Sequence, residues 1–300
     1  MGASRVFSTP LRYPGGKGKF AHFIKNVFEV NNLHDGHYAE PYAGGAGVAL
    51  ELMFHEYASV IHINDLDPAI YAFWQAVVHH TDDISKAIHD TPVTMENWYR
   101  FKAILDNPED CSVVDLAMAT FFLNRTNRSG ILKAGVIGGK EQAGKWKLDV
   151  RFNKPELVKR IELIGKYKNR IKIYNEDALS FIDNVIPTFP KKSLTYLDPP
   201  YYIKGSGLYR NFYVHDDHVQ IANALGNIDK PWIVSYDNVS EIKEIYTSYR
   251  QDEYFLSYTA QLKKKGSEVM IYGPTILAPE SGLNRKASET KPPTSSPKGL

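Results

Sequence analysis

Thr195–Tyr202 reads TYLDPPYY: an apolar run stops at Asp198, then come Pro199, Pro200, Tyr201 and Tyr202. A plain turn needs neither a carboxylate between two rigid elements nor paired aromatics. The combination suits a flat ligand that carries an exocyclic amine. Such an amine is a poor nucleophile because its lone pair is delocalised into the ring. Acceptors aimed at both N–H bonds favour a pyramidal nitrogen, and Asp198 with the Pro199 carbonyl could supply them. Proline's fixed φ and missing N–H keep that carbonyl in place. Tyr201 can then stack on the ring, which would have to leave a duplex to reach it.

A second stretch, YAEPYAGGAGVALEL (Tyr38–Leu52), passes from a β-type run through Glu40, Pro41 and Tyr42 to Gly44, Gly45 and Gly47, then into a helical pattern. Glycines there allow close backbone approach to a ligand, and the helix start offers N–H groups without partners. On its own this is also a plain strand-to-helix turn. It gains meaning from Asp65, which ends the next β-type run 21 residues after Gly44. An acid at that distance is placed to accept hydrogen bonds from the ribose of an adenosine-type cofactor. Asp67, followed by Pro68, fits a simple turn better. Asp177 follows another β-type run and suits a helix cap and a ligand contact equally. Glu40, Asp65, Asp177 and Asp198 thus all end strand candidates, where open parallel sheets bind ligands. The pattern supports an adenosine cofactor. It leaves nicotinamide against methyl donor open until the Asp-Pro-Pro-Tyr tip, which hydride transfer does not call for.

The elements that must position these residues alternate. SVIHIND, NRIKIYNED, KSLTYLD, PWIVSYD and SEVMIYG are strand candidates; AIYAFWQAVVHH, NKPELVKRIELIGKY and HDDHVQIANALGNI are helix candidates. Alternation of this kind predicts a parallel sheet with helices on both faces. From 82 to 155 the rhythm breaks into mostly helical segments and a Gly- and Lys-rich stretch without an obvious strand. The expected organisation is therefore a first catalytic part at 1–81, an inserted lobe at 82–155, a second catalytic part at 156–277, and a disordered tail at 278–300, rich in Pro, Ser and Lys.

Composition narrows the class. The 300 residues are 43% hydrophobic, enough for one large core, and 36 Lys and Arg nearly balance 34 Asp and Glu. Near-neutrality excludes a polybasic coat protein but not a local basic face. Cys111 is the single cysteine, which excludes an intramolecular disulfide and a cysteine-rich zinc site. It is expected to act as a small buried hydrophobe. The ten histidines lack ligand spacing, and no metal is expected. His79, His80, His215 and His218 are read as solvent-facing or capping, and Phe73 and Trp74 as core. No run approaches a membrane span and the N-terminus lacks a signal-peptide core, so the chain is expected to be soluble and cytoplasmic.

With these stretches in this order, the chain resembles the Dam-like, D12 class of adenine-N6 DNA methyltransferases over roughly Thr9 to Pro274. LRYPGGKGKF resembles the family's N-terminal cofactor motif, AEPYAGGAGVAL its glycine loop, INDLD its second-strand acid, LDPPYY its catalytic tetrapeptide, FFLNRTNRSGILK the start of its target-recognition region, and KKKGSEVMIYG its last strand. The resemblance implies a Rossmann-like S-adenosylmethionine-dependent methyltransferase sheet with an inserted, mostly helical target-recognition lobe. It implies that Lys17, with Tyr13 alongside, pairs with the carboxylate of S-adenosylmethionine. Glu40, Tyr42 and Gly44 would shape the methionine side, Asp65 would hold the ribose, and Asp177 would lie near the cofactor's adenine. Asp198, Pro199, Pro200 and Tyr201 would form the seat of a flipped adenine. Tyr42 stands where the family commonly has Phe, and Ser129-Gly130-Ile131 where it usually has Asn-Gly-Leu, so a target sequence does not transfer. N4-cytosine methylation is the nearest alternative, since the same tip serves either amine.

Double-stranded DNA is the partner this implies; a companion restriction endonuclease is compatible with it but not identified by the sequence. DNA contact is expected from the basic stretch that holds Arg125, Arg128, Lys133, Lys140, Lys145, Trp146, Lys147 and Arg151, and from Lys263, Lys264 and Lys265. Any single lysine among them also fits a solvated loop. Arg125, Arg128, Lys133 and Lys264 are the named candidates, with phosphates supplying affinity and base edges supplying choice.

Overall fold

The computed structural model describes residues 9–12, 18–203, 213–257 and 265–280. Tyr13, Lys17, Lys263 and Lys264, and the tail from 281 onward, lie outside the described residues. In chain order the elements are α1 (Gly18–Val30), β1 (Gly36–Glu40), α2 (Gly47–Phe54), β2 (Ala58–Asn64), α3 (Pro68–His79), α4 (Thr81–Asp90), α5 (Met95–Asp106), α6 (Val113–Thr126), α7 (Lys154–Lys166), β3 (Ile171–Tyr174), the single turn α8 (Ala178–Ser180), β4 (Ser193–Leu197), α9 (His215–Gly226), β5 (Trp232–Asp237), α10 (Ser240–Ile245), β6 (Arg250–Ser257) and β7 (Lys265–Tyr272).

The seven strands form one sheet in the order β3-β2-β1-β4-β5-β7-β6. Strands β1 to β5 are mutually parallel, as the alternation predicts. The last two correct that expectation. β7 runs antiparallel to β5 and β6 antiparallel to β7, so the sheet is mixed. The fold is the expected Rossmann-like sheet with helices on both faces. Its strand order reverses between β1 and β4, because β1 to β3 progress one way and β4 returns to the other side of β1. Such a reversal marks the carboxyl ends of these two strands as the place where sheets of this kind bind ligands.

Side-chain alternation divides the core into two layers. Tyr38, Tyr196 and Ile233 face a cluster built on α1, α2 and α3, while Ala39, Leu197 and Val234 face one built on the α8 region, α9 and α10. Strands buried on both faces must be apolar throughout, and β4 and β5 are buried at every position. Helix α3 starts where Asp67 accepts from the Ala69 N–H at 2.9 Å and Pro68 takes the first helical position. Its Phe73 and Trp74 are fully buried, and Phe73 stacks on Phe121 of α6 at 5.8 Å. Burial of rings of this size contributes about 1.5–3 kcal/mol each.

Between 82 and 155 no residue joins the sheet. Ile84, Trp98, Phe101, Phe122, Leu148 and Phe152 from this stretch belong to the same buried cluster as Tyr38 and Trp74. After α6 the chain turns back on itself, with Asn127 bridged to Val136. Cys111 is half-buried, its thiol on the Pro108 carbonyl at 3.1 Å. His79, His80 and His215 are exposed, but His218 is not; it is wholly buried against the Tyr236 hydroxyl at 3.1 Å. No helix among the described residues is long and apolar enough to cross a membrane.

Candidate active site

The glycine loop and the second-strand acid meet. Gly44 takes φ 47°, the left-handed region that glycine enters without cost. Its N–H donates to Asp65 Oδ2 at 2.9 Å, and the Asp67 N–H donates to Oδ1 at 2.9 Å. Trp74 Nε1 donates to the Gly44 carbonyl at 2.9 Å, which pins the loop from below. Asp65 is partly buried. Desolvation pushes its carboxyl up to about 6, against the two backbone N–H groups that favour the anion. It is an acceptor held in place by the loop it faces.

Glu40 ends β1 and is buried. Its Oε1 accepts from the Tyr38 hydroxyl at 3.1 Å and from the Ala49 N–H at 3.0 Å. Ala49 sits in the first turn of α2, whose N-cap, Ala46, has no side-chain oxygen to offer. Glu40 therefore does the capping from the strand end, a favourable place for a carboxylate. Tyr42 bonds the Tyr213 hydroxyl at 2.9 Å; burial and neighbouring tyrosines hold it well above the usual phenol range. Asp177 is exposed and accepts from the Leu179 N–H at 2.9 Å, so its cap role is realised. Burial raises the Tyr213 phenol and the Asp177 charge adds to it, which places Asp177 near the same wall.

Sequence reasoning missed Asn64. It is buried beside Asp65, donates to the Pro41 carbonyl at 2.9 Å and the Glu176 carbonyl at 3.0 Å, and accepts from the Glu176 N–H at 2.9 Å. One amide thereby ties the ends of β1, β2 and β3 together. A polar residue closing the apolar run VIHIN was the signal available.

On the other bank, Asp198 follows β4 directly. Ser235 of β5 donates to Asp198 Oδ1 at 2.9 Å, and the Tyr196 hydroxyl, 2.7 Å from the Ser235 oxygen, donates in turn. This relay aims the carboxylate before any ligand arrives. Pro199 and Pro200 are buried. Tyr201 donates to Glu268 Oε1 of β7. Asp237, at the end of β5, accepts from the Tyr202 N–H at 2.8 Å and the Ile203 N–H at 3.0 Å. Ser235, Asp237 and Glu268 were not among the expected site residues, although WIVSYD also ends in an acid as the other strands do.

The basic residues divide. Arg128 and Lys133 are exposed, as are Lys140, Lys145, Lys147 and Arg151, and the Lys145 ammonium lies 5.5 Å from the Trp146 ring centre. Arg125 is half-buried. Its Nε donates to the Arg151 carbonyl at 2.8 Å and its Nη1 to the Pro10 carbonyl at 3.3 Å. Burial, with Arg12, Arg160 and Arg151 nearby, pulls it down to about 9. Arg12 donates to the Asn127 carbonyl at 3.0 Å, and its backbone pairs with the Asn124 side chain at 2.7 and 2.8 Å. The segment that enters the N-terminal motif is thus clasped by the end of α6. The described residues include no group of His, Cys, Asp and Glu that could hold a metal ion.

The sequence profile of the D12 class N6 adenine-specific DNA methyltransferases matches residues 13–262. No curated protein matches the chain. Among solved structures, a candidate RNA methyltransferase from Pyrococcus horikoshii is similar with 9% identity, covering 88% of this chain and 87% of that one at a TM-score of 0.42. The rRNA methyltransferase AviRa from Streptomyces viridochromogenes is similar with 10% identity, 90% of each chain and a TM-score of 0.36. TrmK from M. capricolum, solved with S-adenosyl-homocysteine, is similar with 9% identity over 82% of this chain and 66% of that one at a TM-score of 0.35.

Proposed function

Because the chain belongs to the D12 class N6 adenine-specific DNA methyltransferase family, we propose that it transfers a methyl group from S-adenosylmethionine to the N6 amine of an adenine extruded from duplex DNA. The observation that carries this is the set of residues at the sheet's switch point. Gly44 and Asp65 lie at the ends of β1 and β2, and Asp198 lies at the end of β4, the neighbour of β1. The donor set fits the cofactor. Asp65 offers an acceptor for ribose hydroxyls, and the loop before α2 lets the backbone approach closely. Lys17 and Tyr13 are the proposed partners of the cofactor's carboxylate, Tyr42 lines the same side, and Asp177 lies towards its adenine.

When bound, S-adenosylmethionine supplies an electrophilic methyl on a cationic sulfur. Everything else falls to the chain. Asp198, aimed by Ser235, accepts one N6–H, and the Pro199 carbonyl accepts the other, so the nitrogen lone pair is freed from the ring. Tyr201 stacks on the base. The positive charge passes from sulfur to nitrogen as the methyl moves and is spread between them at the midpoint, so a dry, pre-aligned site favours the step more than any added charge would. Asp198 then receives the proton that the methylated nitrogen sheds. Arg128 and Lys133, on the exposed rim after α6, and Lys264 are the proposed phosphate contacts; Arg125 reaches DNA only indirectly, through the segment it braces.

The test is acceptor identity. Duplex DNA and RNA are offered with labelled S-adenosylmethionine, and the digested nucleosides are identified. N6-methyladenine from DNA, abolished in Asp198→Ala with folding intact, supports the proposal. Label only on RNA or on cytosine N4 refutes it.

A further inference from the structure

Tyr201 is tethered by its hydroxyl rather than left to rotate on its own side chain, and the acceptor is unusual. Glu268 is 2% exposed and lies opposite Asp237 across the β5–β7 ladder and opposite Tyr254 across the β6–β7 ladder. Tyr201 donates to its Oε1 and Tyr254 donates to its Oε2 at 2.5 Å. Tyr254 is itself buried; burial and the Glu268 charge hold it well above the usual phenol range, so it stays protonated and donating. A buried carboxylate that accepts from two phenols has one orientation. The ring of Tyr201 inherits it.

We propose that Glu268 is a positioning residue for the nucleobase: through the Tyr201 hydroxyl it sets the ring on which the extruded base stacks, before the base arrives. The inference rests on the proposed function. It assigns the hydroxyl of Tyr201 to orientation, and it gives β6 and β7, the antiparallel strands outside the cofactor half, a part in substrate binding. The tip is then held at three points by the strands β5 and β7. Ser235 aims Asp198, Asp237 holds the main chain of Tyr202 and Ile203, and Glu268 holds the Tyr201 ring. Pre-orientation removes an ordering step from base capture, so its loss shows in the methyl-transfer rate and not in cofactor affinity.

The experiment compares wild type, Tyr201→Phe, Glu268→Gln and the double variant. It measures kcat, KM for DNA, cofactor Kd, and the emission of 2-aminopurine placed at the mapped target adenine. Glu268→Gln keeps the volume and one acceptor oxygen but turns an NH2 towards one phenol. Each single variant is expected to lose roughly tenfold in kcat with cofactor Kd within about twofold. The double variant loses no more than the worse single, because both remove one tether. The 2-aminopurine emission rises in each variant as stacking on the ring loosens. Tyr254→Phe, which frees one carboxylate oxygen without touching Tyr201, gives a smaller loss of the same kind and serves if Glu268→Gln does not fold. A Tyr201→Phe enzyme with wild-type kcat and emission overturns the inference, as do losses that multiply in the double variant. An inactive wild type removes the proposed function, and the inference with it; an active wild type with unaffected variants removes the inference alone.

Discussion

Asp65→Asn separates cofactor binding from folding, and the structure sets the size of each effect. Asp65 accepts from two backbone N–H groups, one on each oxygen. Asparagine keeps one oxygen and turns an NH2 towards the other N–H, which costs about 1.5–3 kcal/mol at a partly buried charged site. Against this stands the burial of the charge. The carboxyl is raised from 3.8 to about 6. A raised pKa means a contribution that is fully present below pH 3.8 and lost as pH rises through about 6, so at pH 7.5 the ionised group weighs against folding by about 3 kcal/mol. Neutralising it removes that penalty. The two terms nearly cancel, and the Tm of the cofactor-free protein is expected to move by only a few degrees. Cofactor affinity has no such compensation. Loss of a charged acceptor for the ribose hydroxyls lowers it about 10- to 150-fold. Wild-type affinity should also fall as pH drops below about 6, where Asp65 protonates, and the variant should lose that dependence. Calorimetric titration with S-adenosylmethionine from pH 5 to 8, beside thermal unfolding, reads both. A variant Kd within about threefold of wild type, or one that keeps the wild-type pH profile, refutes the reasoning.

Four other outcomes follow from contacts elsewhere in the structure. Ser235→Ala removes the hydrogen bond that aims Asp198 and should lower kcat about tenfold with cofactor Kd unchanged, as measured by steady-state methylation and calorimetry. Arg125→Ala should cost about 1–3 kcal/mol of stability by thermal or urea unfolding, because its guanidinium braces the Pro10 and Arg151 carbonyls. Arg128→Ala, on the exposed rim, should leave the Tm in place and instead weaken DNA binding and flatten its salt dependence. Gly130→Ala should be among the most destabilising single changes: Gly130 has φ 77°, and an added Cβ would lie 2.3 Å from the Arg12 carbonyl oxygen. Thermal unfolding checks it, and a Tm within a degree or two of wild type contradicts the packing described for that turn.

Much of the architecture was legible because its signals are local. Apolar runs ending in acids marked the strand tips, and helix periodicity placed α3, α7 and α9 to within a residue or two. Glu40, Asp65 and Asp198 stand out for the same reason and Gly44 for its glycine loop, and they lie at the carboxyl ends of the neighbouring strands β2, β1 and β4. What escaped depends on partners distant in sequence. SEVMIYG reads as a strand, but nothing in its alternation tells parallel from antiparallel. RQDEYFLS, the edge strand β6, carries Asp252 and Glu253 side by side, one on each face, and so lacks the alternation that marks a strand. Ser235, Asp237 and Glu268 matter because β5 and β7 place them on Asp198, Ile203 and Tyr201, which lie 34 to 67 residues away in sequence. Arg125 was read as a rim cation, yet its partner Pro10 is 115 residues away, and burial at the end of α6 changes its task.

In the proposed function the ends of β1 and β2 hold the cofactor and the end of β4 holds the base. A crystal structure with S-adenosyl-homocysteine and a duplex bearing the target adenine tests it most directly. Ribose hydroxyls are expected on the Asp65 carboxylate, with an extruded adenine whose N6 lies between Asp198 and the Pro199 carbonyl and whose ring rests on Tyr201. A cofactor bound away from Asp65, or an adenine that stays in the duplex with the Asp198 tip facing solvent, would contradict it.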